Sequence, residues 1–255
     1  MSLILTILVI LIAMSVHEFG HFIPAKLFGC RVYEYSIGAG PALIKKKWGE
    51  TIYSIRPVPI AAYVYINQDD LNGQPYWKTA VILLGGVTGN ILLAYLGCYL
   101  LFTIVGYSPI EAIKGGFDEL GQFLSWQGNS MLSLLKAPLK SVADLEGPIG
   151  IIKSGSKTIG ATVTLNGVKT SWLNRTLIST IVFSNFINVA LAYFNLLPVP
   201  VLDGGRFLVR TIEAIIRRKL PEKVTVGALY FGGFMVLGLF MFTTLKDVAN
   251  LFIHR

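Results

Sequence analysis

Apolar residues in this chain gather into four long stretches rather than into short periodic runs. They run from about Leu3 to Ala25, Thr79 to Val105, Leu177 to Leu197 and Thr225 to Leu245. Each comes near the roughly 20 residues needed to cross a hydrocarbon core of about 30 Å. Backbone groups in lipid must be satisfied internally, so the pattern predicts four transmembrane helices spanning about 3–25, 79–105, 177–197 and 225–245.

Between the first two stretches the period shortens. Arg31-Val-Tyr-Glu-Tyr-Ser-Ile37 alternates in part, Thr51-Ile-Tyr-Ser-Ile-Arg56 does the same, and Ala61-Ala-Tyr-Val-Tyr-Ile66 is rich in β-formers. Lys47-Trp48-Gly49-Glu50 reads as a polar turn. Residues 32–66 are therefore expected to form a small antiparallel sheet, a meander closing one end of the helix bundle. Residues 106–175 are expected to be partly helical. From Pro109 to about Gly128, Ile110, Ile113, Phe117, Leu120 and Leu124 fall on one face, suited to the membrane surface or, the simpler reading, to packing on the bundle. The fold class that follows is a mainly α membrane protein with a small membrane-associated sheet between helices 1 and 2, in a single domain over 1–255. No fixed-period repeat or low-complexity segment interrupts it.

Composition agrees with this reading. Hydrophobic residues are 53% of the chain and charged residues 14%, against about 25% charged in an ordinary soluble domain. The formal net charge of +8 would suit nucleic acid, but the basic residues lie in the connections and no nucleic-acid motif accompanies them. They fit the positive-inside pattern instead. Lys26, Arg31, Lys45, Lys46, Lys47, Arg56 and Lys78 mark the first connection as cytoplasmic. Arg206, Arg210, Arg217, Arg218, Lys219 and Lys223 do the same for the third. Both termini and residues 106–175 are then extracytoplasmic, in a multi-pass protein of the cell inner membrane. The first stretch lacks a basic leader and a small-residue cleavage site, so it reads as a span and not a signal peptide. Cys30 and Cys98 make neither a disulfide framework nor a four-ligand zinc site, and are expected to be reduced and buried.

His17-Glu-Phe-Gly-His21 lies in the first stretch. On a helix His17 and His21 share a face, so both imidazoles can reach one zinc ion, which commonly takes histidine nitrogens and leaves a position for water. Glu18 is the expected base for that water. Ionisable groups inside a spanning helix cost roughly 2.5–3.5 kcal/mol each on insertion scales and mark functional sites. A third ligand is needed. His254 stands beside the C-terminus on the opposite side. Asp203, in Asn195-Leu-Leu-Pro-Val-Pro-Val-Leu-Asp-Gly-Gly205, sits on the same side as His17 and His21. Pro198 and Pro200 would end the helix there, while Gly204 and Gly205 permit close backbone approach. The same residues would also suit a membrane metal transporter or channel, or a non-catalytic helix-binding pseudoprotease. Against transport, no paired inverted repeats are visible.

The chain resembles the site-2 protease family of intramembrane zinc metalloproteases, particularly the bacterial regulators of envelope stress signalling. The likeness rests on His17-Glu-Phe-Gly-His21, Ser36-Ile-Gly-Ala-Gly-Pro41, Gly85-Gly-Val-Thr-Gly-Asn90, Gly147-Pro-Ile-Gly150 and Asn195–Gly205. It implies that His17, His21 and Asp203 bind Zn2+ and that Glu18 activates water. It also implies regulated proteolysis of single-pass membrane proteins, such as an anti-sigma factor or a signal-peptide remnant. The family's sheet binds an extended substrate segment, which would place Ala61, Ala62 and Tyr63 beside substrate as an added strand. Asn90, Asn188 and Asn195 resemble family asparagines near the site. They would bind an unwound substrate or make ordinary interhelical hydrogen bonds. Two departures stand out. Relatives often have a glycine pair where this chain has Ala61 and Ala62. They also carry PDZ domains between helices 2 and 3, for which about 70 residues leave little room.

Overall fold

The computed structural model of the chain describes residues 2–136, 148–160 and 172–253. Gly147, His254 and parts of the expected 106–175 segment lie outside them. Twelve elements follow in order: α1 (Ser2–Leu27), β1 (Val32–Ala39), β2 (Ile44–Trp48), β3 (Thr51–Ile55), β4 (Val58–Ile66), α2 (Gln68–Gly73), α3 (Tyr76–Val105), α4 (Pro109–Lys136), α5 (Pro148–Gly160), α6 (Trp172–Leu196), α7 (Asp203–Ile216) and α8 (Glu222–Ile253). Among the described residues, α1, α3, α6 and α8 are long and apolar enough to cross a membrane. They match the four expected stretches and run a few residues past most of the expected ends. The chain is a mostly helical, multi-pass membrane protein with a small sheet.

The described residues form two compact units, one comprising 10–93 and 190–232, the other 1–9, 94–189 and 233–255. The first contains the sheet, whose strand order is β2-β3-β1-β4. It is mixed rather than antiparallel: β1 pairs with β4 and β2 with β3 antiparallel, but β1 and β3 are parallel. The expected turn at Lys47–Glu50 is shorter, because Lys47 and Trp48 belong to β2. That strand, Ile-Lys-Lys-Lys-Trp, is exposed along its whole length and shows no alternation. It occupies the hairpin position beside β3 and so leaves β3 to meet β1 in parallel. Gly38, at φ 93°, turns β1 at the bulge near Ala39, a conformation open to glycine at little cost.

One face of the sheet lies on α1. Phe22 meets the rings of Tyr35 and Tyr53, and the Tyr35 hydroxyl donates to the Ser15 carbonyl at 2.7 Å. Burial, reinforced by the Glu18 charge, pushes that phenol up to about 12. Ala25, Cys30, Val32, Ile66, Leu71 and Ile82 form the core beneath. Arg31 clasps both oxygens of Asp70, at 2.7 and 3.0 Å, tying the start of β1 to α2. Both cysteines are free and buried, as expected.

In the second unit α4 is longer than expected, and the expected apolar face is buried only in part. It runs to Lys136, and Ala112 and Leu120 are buried while Ile110, Ile113 and Phe117 are exposed. Gly116 lies against Tyr95 and Tyr99, the Phe117 ring meets Tyr95 with centroids 4.4 Å apart, and Ile110 and Ile113 face outward. At the N-terminus of α5, Gly150 donates its N–H to Asp247 at 2.7 Å, a carboxylate at the positive end of a helix.

Candidate metal centre

The first unit brings residues from three helices to one point. His17 and His21 stand one turn apart on α1, and Asp203 opens α7. His17 Nε2 and His21 Nε2 lie 3.0 and 3.1 Å from Asp203 Oδ2, and 3.3 Å from each other. Both histidines are buried. Among the described residues this is the one group of three or more His, Cys, Asp or Glu side chains whose ligand atoms could hold a metal ion.

The donor set fits zinc. Bonds of about 2.0–2.1 Å in a tetrahedral arrangement put ligand atoms roughly 3.3–3.4 Å apart, close to the separations here. The His21 Nδ1–H donates to the Ile82 carbonyl at 2.7 Å, which fixes the ring and leaves its Nε2 as a lone pair, as metal-ligating histidines commonly are held. Lone-pair atoms this close to a carboxylate oxygen repel unless a cation lies between them. His17 Nδ1 is buried without a hydrogen-bond partner among the described residues.

Glycines make the convergence possible. A methyl group on Gly86 of α3 would stand 2.5 Å from His21 Nε2 and 2.7 Å from His17 Nε2, so the imidazoles occupy the space that a side chain there would take. Gly20 and Gly85 meet backbone to backbone, bringing α1 and α3 close. Asp203 is placed by a tight exit from α6. Leu197-Pro-Val-Pro folds through Val199 N–H to Leu197 and Leu202 N–H to Val199, both at 2.8 Å. Gly204 and Gly205 are buried against the Leu196, Leu197 and Val199 carbonyls. Thr211 and Tyr76 hydroxyls meet at 3.0 Å, anchoring α7 to the start of α3.

Glu18 follows His17 in the chain but is not part of this cluster. Its Oε2 accepts the Val64 backbone N–H of β4 at 2.9 Å. A carboxylate beside two imidazoles and a second carboxylate, held at the edge of a sheet, can exchange a proton with a neighbouring water.

A family model described as Peptidase family M50 matches residues 5–239. The chain belongs to that family. Peptidase family M50 is the site-2 protease family that the motifs resemble, and membership makes this chain a metalloprotease. A Clostridium perfringens (strain 13 / Type A) protein named "Putative zinc metalloprotease" is 27% identical over 332 residues, covering 97% of this chain and 98% of its own length. A Synechocystis protein of the same description is 25% identical over 342 residues, covering 95% and 93%. "Membrane metalloprotease ARASP, chloroplastic" of Arabidopsis thaliana is 23% identical over 354 residues, covering 98% and 79%. These alignments exceed the 255 residues of the chain, so the M50 relatives hold residues that have no counterpart here.

The remaining site candidates divide. Asn90 stands one turn beyond Gly86 on α3, fully buried, with neither amide atom hydrogen-bonded among the described residues. Asn195 donates to the Leu191 carbonyl of its own helix at 3.0 Å. Asn188 belongs to the other unit and donates to the Ser184 carbonyl at 2.8 Å. Ala61, Ala62 and Tyr63 lie in β4, the edge strand that carries Val64. The Tyr63 hydroxyl accepts from Arg56 at 2.7 Å. Sequence reasoning missed the Ile82 carbonyl and the Val64 N–H, and assigned no role to Gly86. Backbone groups carry no residue-type signal. For Gly86 the signal was present in the Gly85-Gly86 pair, but its meaning depends on which helix faces it.

Proposed function

We propose that this M50 metalloprotease is an intramembrane zinc endopeptidase that cleaves transmembrane segments of membrane-anchored proteins. The observation that carries the reading is the meeting of His17 Nε2, His21 Nε2 and Asp203 Oδ2 beside Glu18, on a helix apolar enough to span a membrane. His17, His21 and Asp203 hold zinc. Bound there, zinc supplies Lewis acidity, polarising the scissile carbonyl and lowering the pKa of water toward about 7.

Glu18 accepts the proton of the attacking water and passes it to the departing amine. The edge of β4 at Ala61, Ala62 and Tyr63 receives an unwound stretch of substrate as an added strand, because a helical substrate keeps its scissile amide enclosed. Asn90 is the best placed of the three asparagines to bind that stretch, since its amide is buried and uncommitted among the described residues. Asn188 and Asn195 spend their N–H groups within α6. The basic connections support a cytoplasmic position for the sheet, with both termini outside, in a cell inner membrane. Substrates are single-pass proteins such as an anti-sigma factor or a signal-peptide remnant.

The test is cleavage of a model single-pass substrate by purified, zinc-loaded protein in detergent, with Glu18→Gln as the comparison. Activity lost both on chelation and in Glu18→Gln is the expected result. Cleavage that survives either would sink the mechanism, and zinc flux without cleavage would point to transport.

A further inference from the structure

We infer that the backbone N–H of Val64 is the positioning group for Glu18, and that β4 divides its outward amides between the base and the substrate. The inference rests on the reading of Glu18 as the base. Three observations lead to it. The Glu18 carboxylate accepts the Val64 N–H at 2.9 Å. Strand β4 has a neighbour on one side only, β1, so its far edge is unpaired among the described residues. The register is regular from Ala62 to Val64, with Ile37 opposite Ala62, Ser36 opposite Tyr63 and Tyr35 opposite Val64.

In an antiparallel pair, successive residues turn their N–H and C=O alternately toward the partner and away from it. The Val64 N–H reaches Glu18, so it points away from β1. By the same alternation Ala62 also points outward, and Tyr63 points toward Ser36. An extended substrate laid on this edge can pair with Ala62, but it cannot take the Val64 N–H without displacing Glu18. Pairing therefore stops at Val64, and the next substrate peptide lies beside the base. One carboxylate oxygen is held by a rigid strand, and the other is left for proton transfer. Without this bond Glu18 has three side-chain torsions and no fixed direction, and orientation is a large part of what a catalytic group contributes.

Kinetics on full-length, zinc-loaded protein in detergent separate these roles. The probe is an internally quenched peptide with one apolar helix of about 20 residues. Val64→Pro removes the N–H, and proline is tolerated on edge strands where the N–H faces outward. A second variant keeps the side chain and chain direction: 2-hydroxy-3-methylbutyrate at position 64, which replaces the Tyr63–Val64 amide by an ester. For both, kcat should fall roughly tenfold to a hundredfold, part of what a general base contributes. KM should stay within about twofold, and zinc content should not change. Ala62→Pro should do the reverse, raising KM and leaving kcat nearly intact. If Val64→Pro fails to fold, the ester carries the test.

A Val64 ester with the kcat of the unmodified protein, or with only KM altered, overturns the inference. Loss of zinc or of thermal stability in the ester overturns it too, because the N–H would then serve the fold and not the base. Full activity of Glu18→Gln would remove the base assignment and this inference together. An inactive Glu18→Gln beside an unaffected ester would remove this inference alone.

Discussion

Gly86→Ala should abolish tight zinc binding while leaving the fold in place. The added methyl group would lie 2.5 Å from His21 Nε2, 2.6 Å from His17 Cε1 and 2.7 Å from His17 Nε2. Carbon makes comfortable contact at about 3.5–4.0 Å, so the rings must retreat by about 1 Å. The atoms met are the far ends of side chains and not backbone, so the imidazoles give way, at the expense of the His21–Ile82 hydrogen bond, while the helices keep their approach. The metal site cannot absorb the change, because ligand distances in a working site hold to about 0.2 Å. Disturbing only the partners behind the ligands typically costs tenfold to a hundredfold in metal affinity. Moving two ligands themselves should cost at least about a hundredfold, or roughly 2.7 kcal/mol.

The measurement is zinc competition against a chelating dye in detergent, with thermal unfolding of the metal-free protein alongside. Gly121→Ala is the comparison, since nothing lies within 4 Å of its added methyl group. Zinc affinity of Gly86→Ala within about threefold of the unmodified protein would refute the reasoning. So would a large fall in metal-free stability without a change in affinity.

Gly20→Ala should act in the opposite sense. Its methyl group meets the Gly85 backbone, which cannot turn aside, so α1 and α3 must part at a cost of about 1–3 kcal/mol, seen as a lower Tm of the metal-free protein. Zinc at about 1,000 times its Kd should stabilise the unmodified protein by about 4 kcal/mol. Asp203→Asn should lose most of that gain, and equal zinc-induced shifts in Tm would count against Asp203 as a ligand. The Asp70 carboxyl is lowered from 3.8 to about 2, chiefly by its hydrogen bond from Arg31. A depressed folded-state pKa stabilises above the unfolded value and is lost as pH falls through the folded one. The Tm difference between the unmodified protein and Asp70→Asn should therefore hold from about pH 7 to 5 and shrink between about pH 4 and 2. A difference independent of pH would show that charge on Asp70 is not what ties β1 to α2.

Much of the fold was legible because lipid imposes a simple requirement. A helix crossing a membrane must be apolar over its length, so α1, α3, α6 and α8 stood out, and only their polar ends, such as Glu222–Val224, were undercounted. His17, Glu18 and His21 were legible through helical spacing, and Asp203 through the prolines and glycines around it. The sheet was legible as strands but not as a topology. Alternation marks a buried face, and β2 has none, so Ile44–Trp48 passed for connection and the parallel β1–β3 pairing was invisible. The packing of α4 was legible only in part for a related reason. Helical spacing puts Ile110 and Ile113 on one face with the buried Leu120, and it does not separate side chains that pack from those that face lipid, since in a membrane protein small residues can make the contact.

The parts of the site that escaped the sequence have a common cause, and it explains why a sheet stands beside a chemical centre carried on helices. In the interior of α1 or α3 each backbone N–H is committed to the carbonyl four residues back. A helix surface therefore offers side chains but no spare amides, and a carboxylate within it has no backbone donor to hold it. Uncommitted amides are offered instead by helix N-termini, by strand edges and by turns. Asp203 lies at the first of these, opening α7 after the Pro198–Pro200 turn. Glu18 reaches the second, at Val64 on the outer edge of β4. An all-helical bundle could supply His17, His21 and the glycine contact that brings them under Gly86. Glu18, in the interior of α1, would still have no free amide of its own helix beside it, and the strand-rich stretch between α1 and α3 provides one at Val64.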